Sequence, residues 1–306
     1  MAAMTTEISK LLVIVGSAKC GTTSLAHHLA YHPDMVLGRE KEPRYFTDFS
    51  SMNWSGPASK GFVDSLIVDH KNYVSNFLGL TKEKWAIDAS TDYIWCAKSP
   101  ELLNKYKSNC EVRLLCIVRD PIERAISEYN HTLRHNWENL TFGQSLNEEN
   151  KRIKDGWQPI FHHKRRSTIS DDIFKYLSLF DKNVLIVDYA ELEVPSILLP
   201  KIYQFLEISP QPHFKIERLN ESLLPRNNLS NFIVNNRLIR NIVRNTFPKS
   251  LRSSLWNKLH TNSRNTKTVK YEDIQYMKQL LAEEIEKCVN DPTIPTVNWS
   301  CLKSSS

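Results

Sequence analysis

The chain has 306 residues, 41% of them hydrophobic and 24% charged, with a formal net charge of +6. This length accommodates one large α/β core, and the composition excludes a disordered, collagen-like or disulfide-framed chain. Lysine and arginine are scattered rather than massed in a tail, which suits anionic ligands in a cleft and argues against a nucleic-acid partner.

No segment approaches the roughly 18 to 20 apolar residues needed to span a bilayer, and the N-terminus lacks a basic stretch followed by a signal-type apolar core. No membrane partner and a cytoplasmic location are expected; a lumenal location would require an anchor outside this sequence. The six cysteines, Cys20, Cys96, Cys110, Cys116, Cys288 and Cys301, form no C-x-x-C pair, so reduced thiols are the simpler account. His27-His28 and His162-His163 lack ligand spacing. They are expected on a helix surface and in a loop, and no metal is expected.

Leu11 to Val15 is an unbroken apolar run rich in β-branched residues, predicting a buried parallel strand. The chain then turns through Gly16-Ser17-Ala18-Lys19-Cys20-Gly21, and from Thr22 the spacing of Leu25 and Leu29 predicts a helix that stops before Pro33. Strand, tight loop and helix start bring backbone N–H groups and the helix dipole to one point, which favours phosphate. Gly16 and Gly21 keep the spacing of the ATP loop G-x-x-x-x-G-K-S/T, but Thr22 occupies the lysine position and Lys19 lies inside the loop. That shift argues against an ordinary ATPase or GTPase. Cys20, beside a lysine and a helix start, is expected to be acidified and open to alkylation that a bound nucleotide suppresses.

Met35 to Leu37 predicts a second strand, leading into Lys41-Glu42-Pro43-Arg44-Tyr45-Phe46; residues 49–60 are loop-like and 62–77 have broken helical spacing. Trp85 to Ala89 predicts a third strand ending in Ser90-Thr91-Asp92, with Tyr93 and Trp95 just beyond. Ser99 and Pro100 are expected as cap and first turn of a helix. Val112 to Val118 predicts a fourth strand with Arg119 at its exit, and Asp120-Pro121-Ile122-Glu123 starts a helix to about His135. Residues 136–170 are polar and expected to be an irregular loop, covering a site or simply solvated. A helix from Asp171 to Phe180, a strand at Val184 to Val187 and a helix from Pro195 to Leu206 complete the alternation. Leu219 to Pro225 is expected as a loop, and 229–243 and Ile274 to Cys288 as helices. This order predicts a single α/β domain with a core at about 10–210: a P-loop nucleotide-kinase-like parallel sheet flanked by helices, with a helical C-terminal extension.

In such sheets ligands collect beyond the carboxyl ends of the strands, where the segments at Gly16, Lys41 and Arg119 all fall. Gly16, Lys19, Gly21, Thr22 and Thr23 resemble G-x-x-K-x-G-T-T/S, the 5′-phosphosulfate loop of sulfotransferases that use 3′-phosphoadenosine 5′-phosphosulfate (PAPS). VRDPIERAISEYNH looks like their 3′-phosphate segment, and KEPRYF is similar to the K-E-x-H/R-F/Y-F segment of glycan-type and many bacterial members. The chain thus resembles a soluble, bacterial-type sulfotransferase. The resemblance implies PAPS as donor, adenosine 3′,5′-bisphosphate as product, and Lys19 and Glu42 as catalytic residues. It implies nucleotide contacts from Gly16, Ser17, Lys19, Cys20, Gly21, Thr22, Thr23, Ser24, Arg119 and Ser127, and from Arg226 in a looser match, RLNESLLPRNNL.

Asp88 and Asp92 compete with Glu42 for the role of base. Where glycan-type relatives carry a lysine, in E-K-S/T-P-x-Y, this chain has Ala89, as bacterial members do. A small polar, carbohydrate-like or natural-product acceptor, taking the sulfuryl group on a hydroxyl or amine, would meet Arg44, Phe46, Asp92, Tyr93 and Trp95. Two other readings stand beside this one: a P-loop phosphotransferase using ATP and magnesium, and a nucleotide-binding protein without catalysis.

Overall fold

The computed structural model describes residues 7–211 and 269–303, with the backbone at 224–225 and 260–261. Five strands form one sheet: β1 (Lys10–Gly16), β2 (Met35–Leu37), β3 (Trp85–Asp88), β4 (Glu111–Val118) and β5 (Val184–Asp188). The order is β2-β3-β1-β4-β5 and every pairing is parallel, with Leu12 opposite Ile87 on one side and Arg113 on the other. The helices are α1 (Thr22–Leu29), α2 (Ser59–Asp64), α3 (His70–Ser75), α4 (Ser99–Tyr106), α5 (Pro121–Arg134), α6 (Phe142–Lys154), α7 (Ser170–Phe180), α8 (Pro195–Leu206), α9 (Tyr271–Leu280) and α10 (Ala282–Asn290).

Alternation along the central strand builds both layers. Leu11, Val13 and Val15 point into a core shared with Ala125 and Tyr129 of α5 and Tyr176 and Phe180 of α7. Leu12 and Ile14 point the other way, onto Leu25 and Leu29 of α1 and Leu198 and Ile202 of α8. A strand buried on both faces cannot show polar alternation, which is why β1 is an unbroken apolar run.

At the exit of β4, Asp120 caps α5 by accepting from the amides of Ile122 (2.9 Å) and Glu123 (3.1 Å). Its other oxygen accepts from Ser300 Oγ at 2.9 Å and the Cys301 amide at 2.7 Å, so one carboxylate starts a helix and docks the C-terminal segment. The start of α4 differs from expectation. Lys98 holds the cap position, and Ser99, inside the helix, donates its hydroxyl to the Phe46 carbonyl at 2.6 Å.

The larger correction concerns 136–170, which is not an irregular loop. It contains α6, opened by a capping box in which the Gln144 amide donates to Thr141 Oγ1 (3.3 Å) and the Thr141 amide to Gln144 Oε1 (2.9 Å). The helix escapes a hydrophobic-pattern reading because its inner face is mixed: Ser145, Glu149 and Arg152 are buried beside Phe142 and Leu146. Arg152 pairs with Glu138 at 2.5 Å, and Glu149 accepts from the amides of Lys164 (2.7 Å) and Arg165 (2.8 Å). The expected helix at Ile274 to Cys288 is two helices broken at Leu281. Leu224–Pro225, expected in a loop, pairs antiparallel with His260–Thr261. Arg226 and the helix expected at 229–243 lie outside the described residues.

Asp120→Ala removes the cap and leaves the Cys301 amide without its acceptor. Urea unfolding should show a loss of about 2 kcal/mol; a change within about 0.5 kcal/mol, the scale of a surface substitution, would contradict the docking role.

Candidate active site

The exits of the five strands meet at one edge of the sheet, and the loop after β1 is the centre of that edge. Gly16 has φ +153°, and a Cβ there would lie 2.6 Å from Ile94 Cγ2; Gly21 has φ +72°, and a Cβ there would lie 2.5 Å from Leu192 Cδ2. Only glycine fits either place without a shift. Between them Lys19 takes φ +68°, uncommon for a residue with a Cβ. Gly21 occupies the cap position of α1 and supplies no side-chain acceptor, so the first-turn amides of Thr22, Thr23 and Ser24 begin a helix without a side-chain cap. Ser17 is buried, and its Oγ has no partner among the described residues.

Positive charge gathers around this loop. Arg119 donates Nη1 to the Lys19 carbonyl at 3.0 Å and Nη2 to Glu123 at 3.1 Å, and lies 4.5 Å over the ring of Tyr189. Burial, and after it the Arg134 charge, push the Lys19 ammonium down to about 8, while Glu128 and Glu42 pull the other way. His131 is pushed down to about 3 by burial and by Lys19 and is neutral. Ser127, His131 and Arg134 recur at helical spacing on α5, so half-buried Ser127 shares the face that meets Lys19.

At the exit of β2, Glu42 accepts from Lys41 Nζ at 2.7 Å and from Arg44 Nη2 at 2.5 Å and keeps 25% of its side chain exposed. Burial opposes its charge, but Lys41 and Arg44 hold it below the usual carboxylate range. Lys41 Nζ also lies 3.5 Å from Thr22 Oγ1, which ties this exit to the β1 loop. The two competing carboxylates are differently placed. Asp92 is sealed between Arg44 (2.6 Å) and Arg166 (3.0 Å) and accepts from Trp95 Nε1 at 3.1 Å. Asp88 lies under the site among Ser90, Tyr93 and Tyr73 hydroxyls, and burial pushes it up to about 6.

Several expected contacts are therefore core. Phe46 packs against Tyr45, Tyr73 and Tyr106, and Tyr93 donates its hydroxyl to Asp88 at 2.8 Å; both are buried and present no face to the cleft. Arg44 and Trp95 remain half-buried at the rim, Arg44 5.0 Å over Phe62 and Trp95 5.4 Å from Phe49. Cys20 is not acidified. Its thiol is fully buried, donates to the Ala18 carbonyl at 3.7 Å, and is pushed up to about 11 by burial. His28, His162 and His163 are buried rather than solvated, as is Arg166. All six cysteines are unpaired and buried. Among the described residues no cluster of three or more His, Cys, Asp or Glu could hold a metal ion.

Tyr189, His131 and Arg166 belong to the site and went unrecognised in the sequence. Tyr189 had a detectable signal, an aromatic at the exit of a predicted strand.

A parallel sheet covered on both faces, with a lysine-bearing cationic loop at its central strand and an arginine-bound carboxylate at the exit of β2, defines the protein as an α/β fold with its charged groups gathered at the strand exits. Residues 10–287 match the model of the Sulfotransferase domain, and the chain belongs to that family. The membrane-associated sulfotransferase kil1 of Dictyostelium discoideum is 24% identical over 125 residues, which is 40% of this chain and 23% of that protein. The match thus spans about a quarter of the length of that curated relative. The crystal structure of a sulfotransferase from Alicyclobacillus acidocaldarius superposes with a TM-score of 0.63 at 24% identity, over 82% of this chain and 99% of that one. The mouse sulfotransferase SULT7A1, complexed with PAP, gives 0.44 at 17% identity, over 91% of this chain and 84% of that one. Among the described residues no helix is long and apolar enough to cross a membrane.

Because Lys19 is held near 8, an anion bound beside it would raise its pKa, and the lysine would take up a proton. Affinity for an anionic probe at this loop, such as adenosine 3′,5′-bisphosphate, would then be full below pH 8 and fall as pH rises through it. Calorimetry in two buffers of different ionisation enthalpy should show proton uptake near pH 8 in the wild type and none in Lys19→Met; equal uptake in both would contradict the assignment.

Proposed function

We propose that the chain transfers a sulfuryl group from PAPS to a hydroxyl, or an amine, of a small polar, carbohydrate-like or natural-product acceptor. The observation that carries this reading is the pairing of an undercompensated cationic loop with a half-exposed carboxylate at the next strand exits. The residues present fit such a donor: among the described residues α1 has no side-chain cap, the buried Ser17 hydroxyl has no partner, and burial pushes Lys19 toward its neutral form, each of which a bound anion would satisfy.

In this reading Gly16, Ser17, Cys20, Gly21, Thr22, Thr23 and Ser24 hold the 5′-phosphosulfate, Cys20 through its backbone since its thiol is buried. Arg119, aimed by Tyr189 and the Lys19 carbonyl, holds the 3′-phosphate with a forked donor, together with Ser127. Arg226 is proposed to join them. PAPS supplies the activated sulfuryl group. Glu42 takes the proton of the acceptor hydroxyl as its oxygen bonds to sulfur, and Lys19 stabilises the phosphate oxygen freed when the old S–O bond breaks. A carboxylate held below its usual range is a weak base in isolation but is fully ionised at neutral pH. It can act because the hydroxyl becomes strongly acidic as the new bond forms. Asp92 and Asp88 are poorer bases, the first sealed by arginines and the second buried beneath the site.

Incubation with sulfur-35 PAPS and a panel of amino sugars, phenols and aliphatic alcohols should label an acceptor. Glu42→Gln should lower kcat by at least about 100-fold with adenosine 3′,5′-bisphosphate binding retained. A retained rate would remove Glu42 as base, and binding without transfer to any acceptor would favour a non-catalytic nucleotide binder.

A further inference from the structure

From the end of β2 to α5 the charges alternate in an unbroken row. Glu42 lies 2.5 Å from Arg44 Nη2, Arg44 Nε 2.6 Å from Asp92, Asp92 3.0 Å from Arg166 Nη1, and Arg166 Nε 3.3 Å from Glu128 Oε1. Glu128 closes the row with Arg124 and His163, each at 3.2 Å. Inward of Arg44 the row is sealed, no side chain being more than 7% exposed. Burying charges in this way costs about as much as their attraction returns, so stability is a weak reason for the row.

Its geometry suggests another. Arg166 stands in the single turn Arg165–Ser167, fixed by its amide donating to the His162 carbonyl at 2.9 Å and by Ser167 Oγ accepting from Arg124 Nε at 2.8 Å. From that turn it reaches Asp92 on the side opposite Arg44. Arg44 in turn divides one guanidinium between Asp92 and Glu42.

We propose that Arg166 is a positioning residue: through Asp92 it sets how firmly the Arg44 fork holds Glu42, and so sets the basicity of the carboxylate assigned as base. The proposal rests on that assignment for its catalytic meaning. The groups facing Glu42 are Lys41 and Arg44 from its own segment, Thr91 Oγ1 (3.4 Å) and Asp92 after β3, Arg166 from the turn, and Lys19 from the β1 loop. Removing Arg166 leaves the Asp92 charge balanced by Arg44 alone, which strengthens its repulsion of a charge on Glu42 and draws Arg44 away from it. Both effects raise the pH at which Glu42 takes a proton. Removing the Asp92 charge instead frees Arg44 for Glu42 and acts in the opposite direction. Loosened packing alone gives no such reversal of sign.

The test needs no acceptor. The full chain, labelled with carbon-13 at glutamate side-chain carboxyls and saturated with adenosine 3′,5′-bisphosphate, is titrated by NMR, Glu42 being the resonance missing in Glu42→Gln. Arg166→Met should raise the Glu42 midpoint by about one pH unit, and Arg166→Met with Asp92→Asn should return it toward the wild type. An unchanged midpoint in Arg166→Met, or a double variant shifted as far as the single, overturns the proposal. Where Arg166→Met does not fold, Asp92→Asn reads the same coupling: its midpoint falls, and an unchanged or raised one overturns the proposal. Failure of the base assignment appears elsewhere, as retained turnover in Glu42→Gln, and leaves these midpoints as they are.

Discussion

Lys19 is held partly buried beside Arg119 and Arg134 at the start of a helix without a side-chain cap, and this undercompensated positive charge is the constraint the rest of the site answers. A lysine in that position is driven toward its neutral form unless an anion joins it. Among the described residues the relief is partial: Glu42 and Glu128 favour its charge but are themselves bound by other cations. Gly16 and Gly21 make the loop tight enough for the arrangement, the first against Ile94 and the second against Leu192 and Tyr189. The two-sided core beneath β1 keeps it from relaxing.

The same region shows one side-chain chemistry sorted by environment. Asp88 is buried among hydroxyls and pushed up toward its protonated form. Asp92 is buried between two arginines and kept charged as part of the frame. Glu42 alone of the three keeps access to solvent while its charge is secured by Lys41 and Arg44. Distance along the chain does not separate these roles, since Asp88 and Asp92 are neighbours after one strand. Burial and the number of cations within reach do.

What was legible in the sequence follows from how local the determining interactions are. The strand-loop-helix unit at β1, the five strands with apolar runs and the Asp120-Pro121 helix start are set by residues close in the chain, and each stands as expected. Helix α6 was hidden because its buried face carries Ser145, Glu149 and Arg152, whose partners come from other segments. Arg166, inside the stretch expected as a loop, was hidden because its counter-ions, Asp92 and Glu128, lie far from it in sequence. Cys20 illustrates the opposite error: its sequence neighbours suggest an acidic thiol, but the strand-to-helix turn points it into the core, where desolvation outweighs Arg119. Phe46 comes shortly after the rim residue Arg44 and Tyr93 follows the sealed Asp92, and strand-exit geometry turns both rings into the core.

The central claim is that the cationic loop and Arg119 together hold a nucleotide carrying phosphate at both its 3′ and 5′ positions. Thermal unfolding of the full chain with saturating adenosine 3′,5′-bisphosphate, with 5′-AMP and with ATP plus magnesium tests it most directly. The bisphosphate should raise Tm by several degrees, and 5′-AMP and ATP with magnesium by much less. Equal or greater stabilisation by ATP with magnesium would contradict the account.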